Sequence, residues 1–127
     1  MNEPNIAKTH LDMMKYASCV LRHYPKAERA LTDMIRQKMY HAWDLIGLQI
    51  YQKNRVKTLQ ELDWDITSLK RLVRLSADLK FIGAPEKDQP GDSLSKTKKS
   101  QYEIWSKMLV DEGKEIGGML KTAMQAR

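Results

Sequence analysis

Three histidines, one cysteine and a few clustered carboxylates are the side chains of this chain whose types admit acid–base, nucleophilic or metal chemistry. Their spacing argues against all three. His10, His23 and His41 are scattered over two helical stretches, and none completes the Glu-x-x-His spacing with which helical bundles hold metals. His41 and Asp44 stand three apart, so they are expected to meet on one helix face as an ordinary ion pair. Cys19 lies in an apolar stretch, where a free thiol packs as a small hydrophobe, and a lone cysteine forms no intrachain disulfide. Glu61, Asp63 and Asp65 gather near an expected helix start, where the positive end of the helix dipole favours carboxylates without any catalytic demand. Walker loop, dinucleotide fingerprint and nucleophile elbow are all missing from the sequence. The expectation is a protein with no catalytic residue, metal site or cofactor.

Positive charge is better organised. Lys and Arg number 22 against 16 Asp and Glu, a formal net charge of +6, which favours an anionic partner. Lys53, Arg55 and Lys57 crowd one turn. Lys70 and Arg74, four apart, share a helix face, with Arg71 beside them. Lys96, Lys98 and Lys99 lead into the last helical stretch. A phosphate backbone is held by several cations within reach of one another, and an i,i+4 step on a helix places them about 6 Å apart. Tyr16, Tyr24, Tyr40, Tyr51 and Tyr102 are candidates for base stacking, although aromatic residues on helices more commonly fill a core.

The elements that must position these groups are helices. Apolar residues recur in steps of three and four, strand-like alternation is absent, and Gly and Pro fall mostly between the periodic stretches. The reading is one domain over residues 1–127, an all-α, antiparallel up-and-down four-helix bundle. Its helices are expected at about 5–23, 26–54, 58–81 and 97–123, with a polar loop over 83–100. Thr58 and Glu61 have capping-box spacing, which favours a helix start there. Within the fourth helix each glycine costs roughly 1 kcal/mol relative to Ala, so Gly113, Gly117 and Gly118 are read as a notch for a neighbouring helix or subunit. Met34, Met39, Tyr40 and Trp43 spread beyond a single stripe, which predicts a second covered face and hence self-association. Apolar runs fall well short of the roughly 20 residues that cross a bilayer. Met1 to Lys8 carries a Glu and a Pro where a signal peptide has its apolar stretch. The expectation is a soluble cytoplasmic protein without a membrane partner.

Three segments carry a family resemblance. Tyr24-Pro25-Lys26-Ala27-Glu28-Arg29 resembles an aromatic-Pro-Lys-x-x-Arg signature of small four-helix-bundle proteins. Leu69-Lys70-Arg71-Leu72-Val73-Arg74-Leu75, followed by Asp78-Leu79-Lys80, is similar to their Leu/Arg-rich third helix. Asp111 to Lys121 resembles their Glu-x-Gly-Lys/Arg-x-Leu/Ile-Gly-Gly-aromatic-x-Lys ending. In order and spacing, from Tyr24 to Lys121, the chain resembles the accessory variability determinant family of diversity-generating retroelements. That resemblance implies a homopentameric ring of four-helix bundles with a positive surface. It also implies binding to a reverse transcriptase, to template RNA and to DNA copied from it, in support of mutagenic retrohoming. Lys70 and Arg74 match the family's basic third-helix positions and Arg71 matches more loosely, while Lys26 and Arg29 of the first motif join the candidate binding residues. Met119 departs from the pattern by replacing an aromatic, and the 83–100 loop by its length. Two alternatives are the related four-helix-bundle protein of 23S rRNA intervening sequences, and a scaffold that holds a protein partner through the Gly113/Gly117 notch.

Overall fold

In a computed structural model, residues 3–83 and 93–125 are described, with side chains over 5–83 and 101–125. The elements are α1 (Glu3–Leu21), a 3-10 turn (Lys26–Glu28), α2 (Arg29–Gln49), α3 (Val56–Asp78) and α4 (Ser93–Gln125). Each helix packs on its neighbours in the chain, and α1 closes the ring against α4, while the diagonal pairs α1–α3 and α2–α4 do not meet among the described residues. The result is the expected up-and-down bundle.

Heptad spacing builds it. Buried positions run Ile6, His10, Met13, Ala17, Val20 on α1 and Ile35, Met39, Ala42, Ile46, Gln49 on α2. On α3 they run Leu59, Leu62, Ile66, Leu69, Val73, and on α4 Trp105, Leu109, Glu112, Ile116, Met119, Ala123. Alternating steps of three and four keep one seam of each helix toward the axis, the geometry of knobs packed into holes. Each fully buried Leu, Ile or Met contributes about 1.5–3 kcal/mol, set against the entropy of ordering the chain.

Local chemistry sets the helix ends. Pro25 disfavours helical geometry at Tyr24 and ends α1, with the Val20 and Leu21 carbonyls taken by the amides of His23 and Tyr24. At the α2–α3 turn, Arg55 Nη1 donates to Gln49 Oε1 at 2.8 Å and the Val56 amide donates to Asn54 Oδ1 at 3.2 Å. Lys80 closes α3 at φ 70°, with the Phe81 amide on the Ser76 carbonyl and the Lys80 amide on that of Ala77, a Schellman arrangement without its usual glycine.

Several expectations need correction. The second helix runs over 29–49 rather than 26–54, because a 3-10 turn precedes it and the turn clamp of Gln49, Asn54 and Arg55 follows it. The third starts at Val56 and ends at Asp78, so Thr58 lies inside it; its hydroxyl donates to Gln52 Oε1 rather than capping with Glu61. The second part of the expected 83–100 loop is helical from Ser93, since no Gly or Pro follows Gly91 to stop α4 growing backward. Residues 84–92 lie outside the described residues. Met39 points into the core and Cys19 is exposed. Within the chain the glycine notch narrows to Gly113, where a Cβ would stand 3.1 Å from Lys70 Nζ and 3.9 Å from Ile66 Cγ2. At exposed Gly117 and Gly118 a Cβ would meet nothing within 4 Å.

Two core positions are polar. His10 and Glu112 are both fully buried, with His10 Nδ1 2.5 Å from Glu112 Oε2 and His10 Nε2 2.9 Å from the Met39 carbonyl oxygen. One side-chain pair thereby ties α1 to α4 and to α2. Removing one partner leaves the other buried and unpaired, so His10→Ala or Glu112→Ala is expected to cost about 3–5 kcal/mol in urea unfolding. His10→Leu combined with Glu112→Leu is expected to cost less than either single change. A double variant as unstable as the sum of the singles would contradict that coupling.

Candidate nucleic acid interface

The basic residues divide into separate sites. Lys70, Arg71 and Arg74 line one open groove on α3, about 310 Å³ in volume, together with Leu75 and Asp78. Half-buried Lys70 reaches over Gly113, whose missing side chain leaves room for the ammonium beside α4. Arg74 Nε donates to Asp78 Oδ1 at 3.2 Å, an exposed i,i+4 pair of the kind that adds little stability but orients the guanidinium. Arg71 is exposed.

Lys26 and Arg29 stand at the α1–α2 corner and line a second recess of about 540 Å³, joined there by Asp33 and Arg36, which the sequence reading did not single out. This corner and the C-terminal half of α3 lie at one end of the bundle, as the Tyr24 and Phe81 rings confirm at 5.4 Å between centroids. Lys53, Arg55 and Lys57 belong to the α2–α3 turn at the opposite end. Lys53 and Lys57 are exposed, whereas Arg55 is engaged with Gln49. The side chains of Lys96, Lys98 and Lys99 lie outside those described. Of the tyrosines considered for stacking, Tyr24 is buried, Tyr16 and Tyr102 are half-buried, and Tyr40 and Tyr51 are exposed.

His41 does not pair with Asp44. It reaches from α2 to α3, with Nδ1 2.5 Å from Asp65 Oδ2 and Nε2 3.3 Å from Glu61 Oε2, while Lys38 Nζ lies 3.6 Å from Asp65 Oδ1. Asp65 is 1% exposed and stands almost three turns into α3, so its role is to join two helices rather than to complement a dipole. Among the described residues no three His, Cys, Asp or Glu side chains are grouped to hold a metal ion. No described helix is long and apolar enough to cross a membrane. No family model, curated protein or solved structure matches this chain.

Tyr24 anchors the corner that carries Lys26 and Arg29. Burial pushes its phenol up from 10.0 to about 12. The nearby Ser76 hydroxyl, which donates to the Leu72 carbonyl, eases that rise without a well-aligned bond to the phenol. Between pH 10 and 12 the unfolded chain releases the phenolic proton while the folded chain keeps it, so stability falls as pH rises through this window. Urea unfolding of the parent should lose about 2–3 kcal/mol there that Tyr24→Phe does not lose. Parallel pH profiles for the two proteins would mean that Tyr24 is not held neutral at the corner.

Proposed function

We propose that the chain is a non-enzymatic accessory protein that binds nucleic acid and a reverse transcriptase in the cytoplasm, in support of mutagenic retrohoming. The observation that carries the reading is the gathering of Lys70, Arg71 and Arg74 around one open groove of α3. Three cations along about one turn and a half suit consecutive phosphates, and phosphate contact releases counterions, which makes binding steeply salt-dependent. The formal net charge of +6 adds a long-range attraction toward a polyanion. The motif resemblance at Lys26 to Arg29 and at Asp111 to Lys121 supports the same reading, with template RNA and its cDNA as the nucleic acids.

Charge reversal tests it. Lys70→Glu with Arg74→Glu replaces two attractions by repulsions at positions outside the core, so the circular-dichroism spectrum should stay normal. RNA binding should weaken by at least about tenfold at moderate salt, and the slope of log K against log salt should shrink by roughly 1–2. Parental affinity and slope in the double variant would remove the α3 groove from the interface.

Self-association belongs to the same proposal. Tyr40, Trp43 and Ile50 are 57%, 43% and 48% exposed and, with Gly47, follow heptad spacing along α2 outside the core seam. An exposed apolar stripe of this kind favours a second copy as its cover, and the family resemblance makes the assembly a homopentameric ring. Light scattering should return a mass several times 14.8 kDa at micromolar concentration. A monomer would refute the ring.

A further inference from the structure

The recess at the α1–α2 corner uses its charges differently from the rest of the surface. Lys8 pairs with Asp12, Lys107 with Asp111, Arg74 with Asp78 and Lys38 with Asp65. Lys26, Arg29 and Arg36 converge on one recess, yet none forms an ion pair with a carboxylate among the described residues. Asp33 lines the same recess and pairs with none of them. Three cations and one carboxylate leave a formal surplus of two positive charges facing a single space.

The scaffold under these groups is fixed. Arg29 and Arg36 are seven apart on α2 and so project from one face about 10 Å apart along the axis. Lys26 precedes them on the 3-10 turn, whose position is set by Pro25 and by buried Tyr24 against Phe81. α2 also begins here, and the positive end of its dipole adds to the field.

We propose that this recess binds a phosphate monoester carried on a nucleoside, either the terminal phosphate of a nucleic-acid strand or a free mononucleotide. A monoester carries about −1.5 to −2 at neutral pH and matches the surplus of two, whereas an internal phosphodiester carries only one charge. A closed group of cations suits a chain end; a stripe, such as that on α3, suits a continuous backbone. Asp33 accepts hydrogen bonds and repels phosphate, so it has a use only if the ligand also presents hydroxyl or amino donors, as a nucleoside does. The volume of about 540 Å³ lies within the range of small-ligand sites and admits one nucleotide. The strand-end arm of this inference rests on the nucleic-acid reading above; the mononucleotide arm does not.

Anisotropy measurements with one short RNA carrying a 5′-phosphate, a 3′-phosphate or neither, and calorimetry with adenosine monophosphate, test the assignment on the full chain. For a strand end, one phosphorylated RNA binds roughly tenfold tighter than the unphosphorylated strand, the strength of one charge-assisted contact. Arg29→Gln with Arg36→Gln abolishes that preference with an unchanged circular-dichroism spectrum, and Lys70→Glu with Arg74→Glu retains it. Binding of the mononucleotide but of no RNA, lost in the Arg29→Gln/Arg36→Gln variant, keeps the site and overturns the nucleic-acid reading. Equal affinity for all three RNAs with no mononucleotide binding overturns the site and leaves the nucleic-acid reading standing. A terminal-phosphate preference that survives Arg29→Gln/Arg36→Gln also overturns the site.

Discussion

A single buried proton link holds the register on which the rest of the bundle depends. The Met39 carbonyl can only accept, so His10 Nε2 carries a hydrogen and donates to it. One further proton then lies between His10 Nδ1 and Glu112 Oε2, and the pair is net neutral whichever atom holds it. Heptad seams made only of Leu, Ile and Met tolerate slippage, because one apolar layer resembles the next. A polar layer does not, since a slip leaves buried donors and acceptors without partners. The link costs desolvation that an apolar pair would avoid, and Glu112 Oε1 remains buried without a partner. Its return is specificity. Trp43 lies nearly parallel to the imidazole, 6.3 Å between centroids, on the side where α2 meets solvent.

That register reaches the surface within one residue. Gly113 follows Glu112, so the pairing that sets α4 against α1 also sets the glycine opposite Ile66 and Lys70. The ammonium of Lys70 is thereby directed across the α3–α4 seam rather than left on a free stem. At the same end of the bundle, Pro25 and the Tyr24–Phe81 contact fix the turn that carries Lys26 and Arg29. The opposite end, with Lys53 and Lys57 exposed and Arg55 engaged with Gln49, has its chemistry committed to closing the turn. Charge is thus concentrated and oriented at one end and merely present at the other.

The fold was legible because its period is strict. The steps Leu59, Leu62, Ile66, Leu69, Val73 can be read as one helix face without any structure. The polar layer was legible too, but only as a gap. The α1 stripe skips position 10 between Ile6 and Met13, and the α4 stripe skips position 112 between Leu109 and Ile116. A charged residue in a core register is the signal that it has a buried partner. His41 was misread because its partners, Glu61 and Asp65, lie on another helix, where spacing along the sequence gives no help. Arg36 was missed for a related reason: the cation search followed runs along the chain, while the corner gathers residues 26, 29 and 36 by helical turn. The helix 2–3 boundary was blurred because no Gly or Pro separates Gly47 from Thr58, and side chains alone close that turn.

The placement of the two histidine–carboxylate pairs bears directly on what kind of work the surface can do. In the sequence, His, Asp and Glu are the groups suited to proton transfer. In the fold, His10 has both ring nitrogens occupied and no exposure, so a substrate cannot reach it. His41 is half-exposed, yet both of its nitrogens face carboxylates, Asp65 and Glu61, that join α2 to α3. Proton-transfer chemistry at either ring would require breaking a link between helices. The cations are arranged in the opposite sense. Lys26, Arg29, Arg36, Lys70 and Arg71 hold no helix pair together through an ion pair among the described residues, and all face open recesses. A ligand that engages them disturbs no core contact, and a fold built this way meets its partners through fixed positive charge.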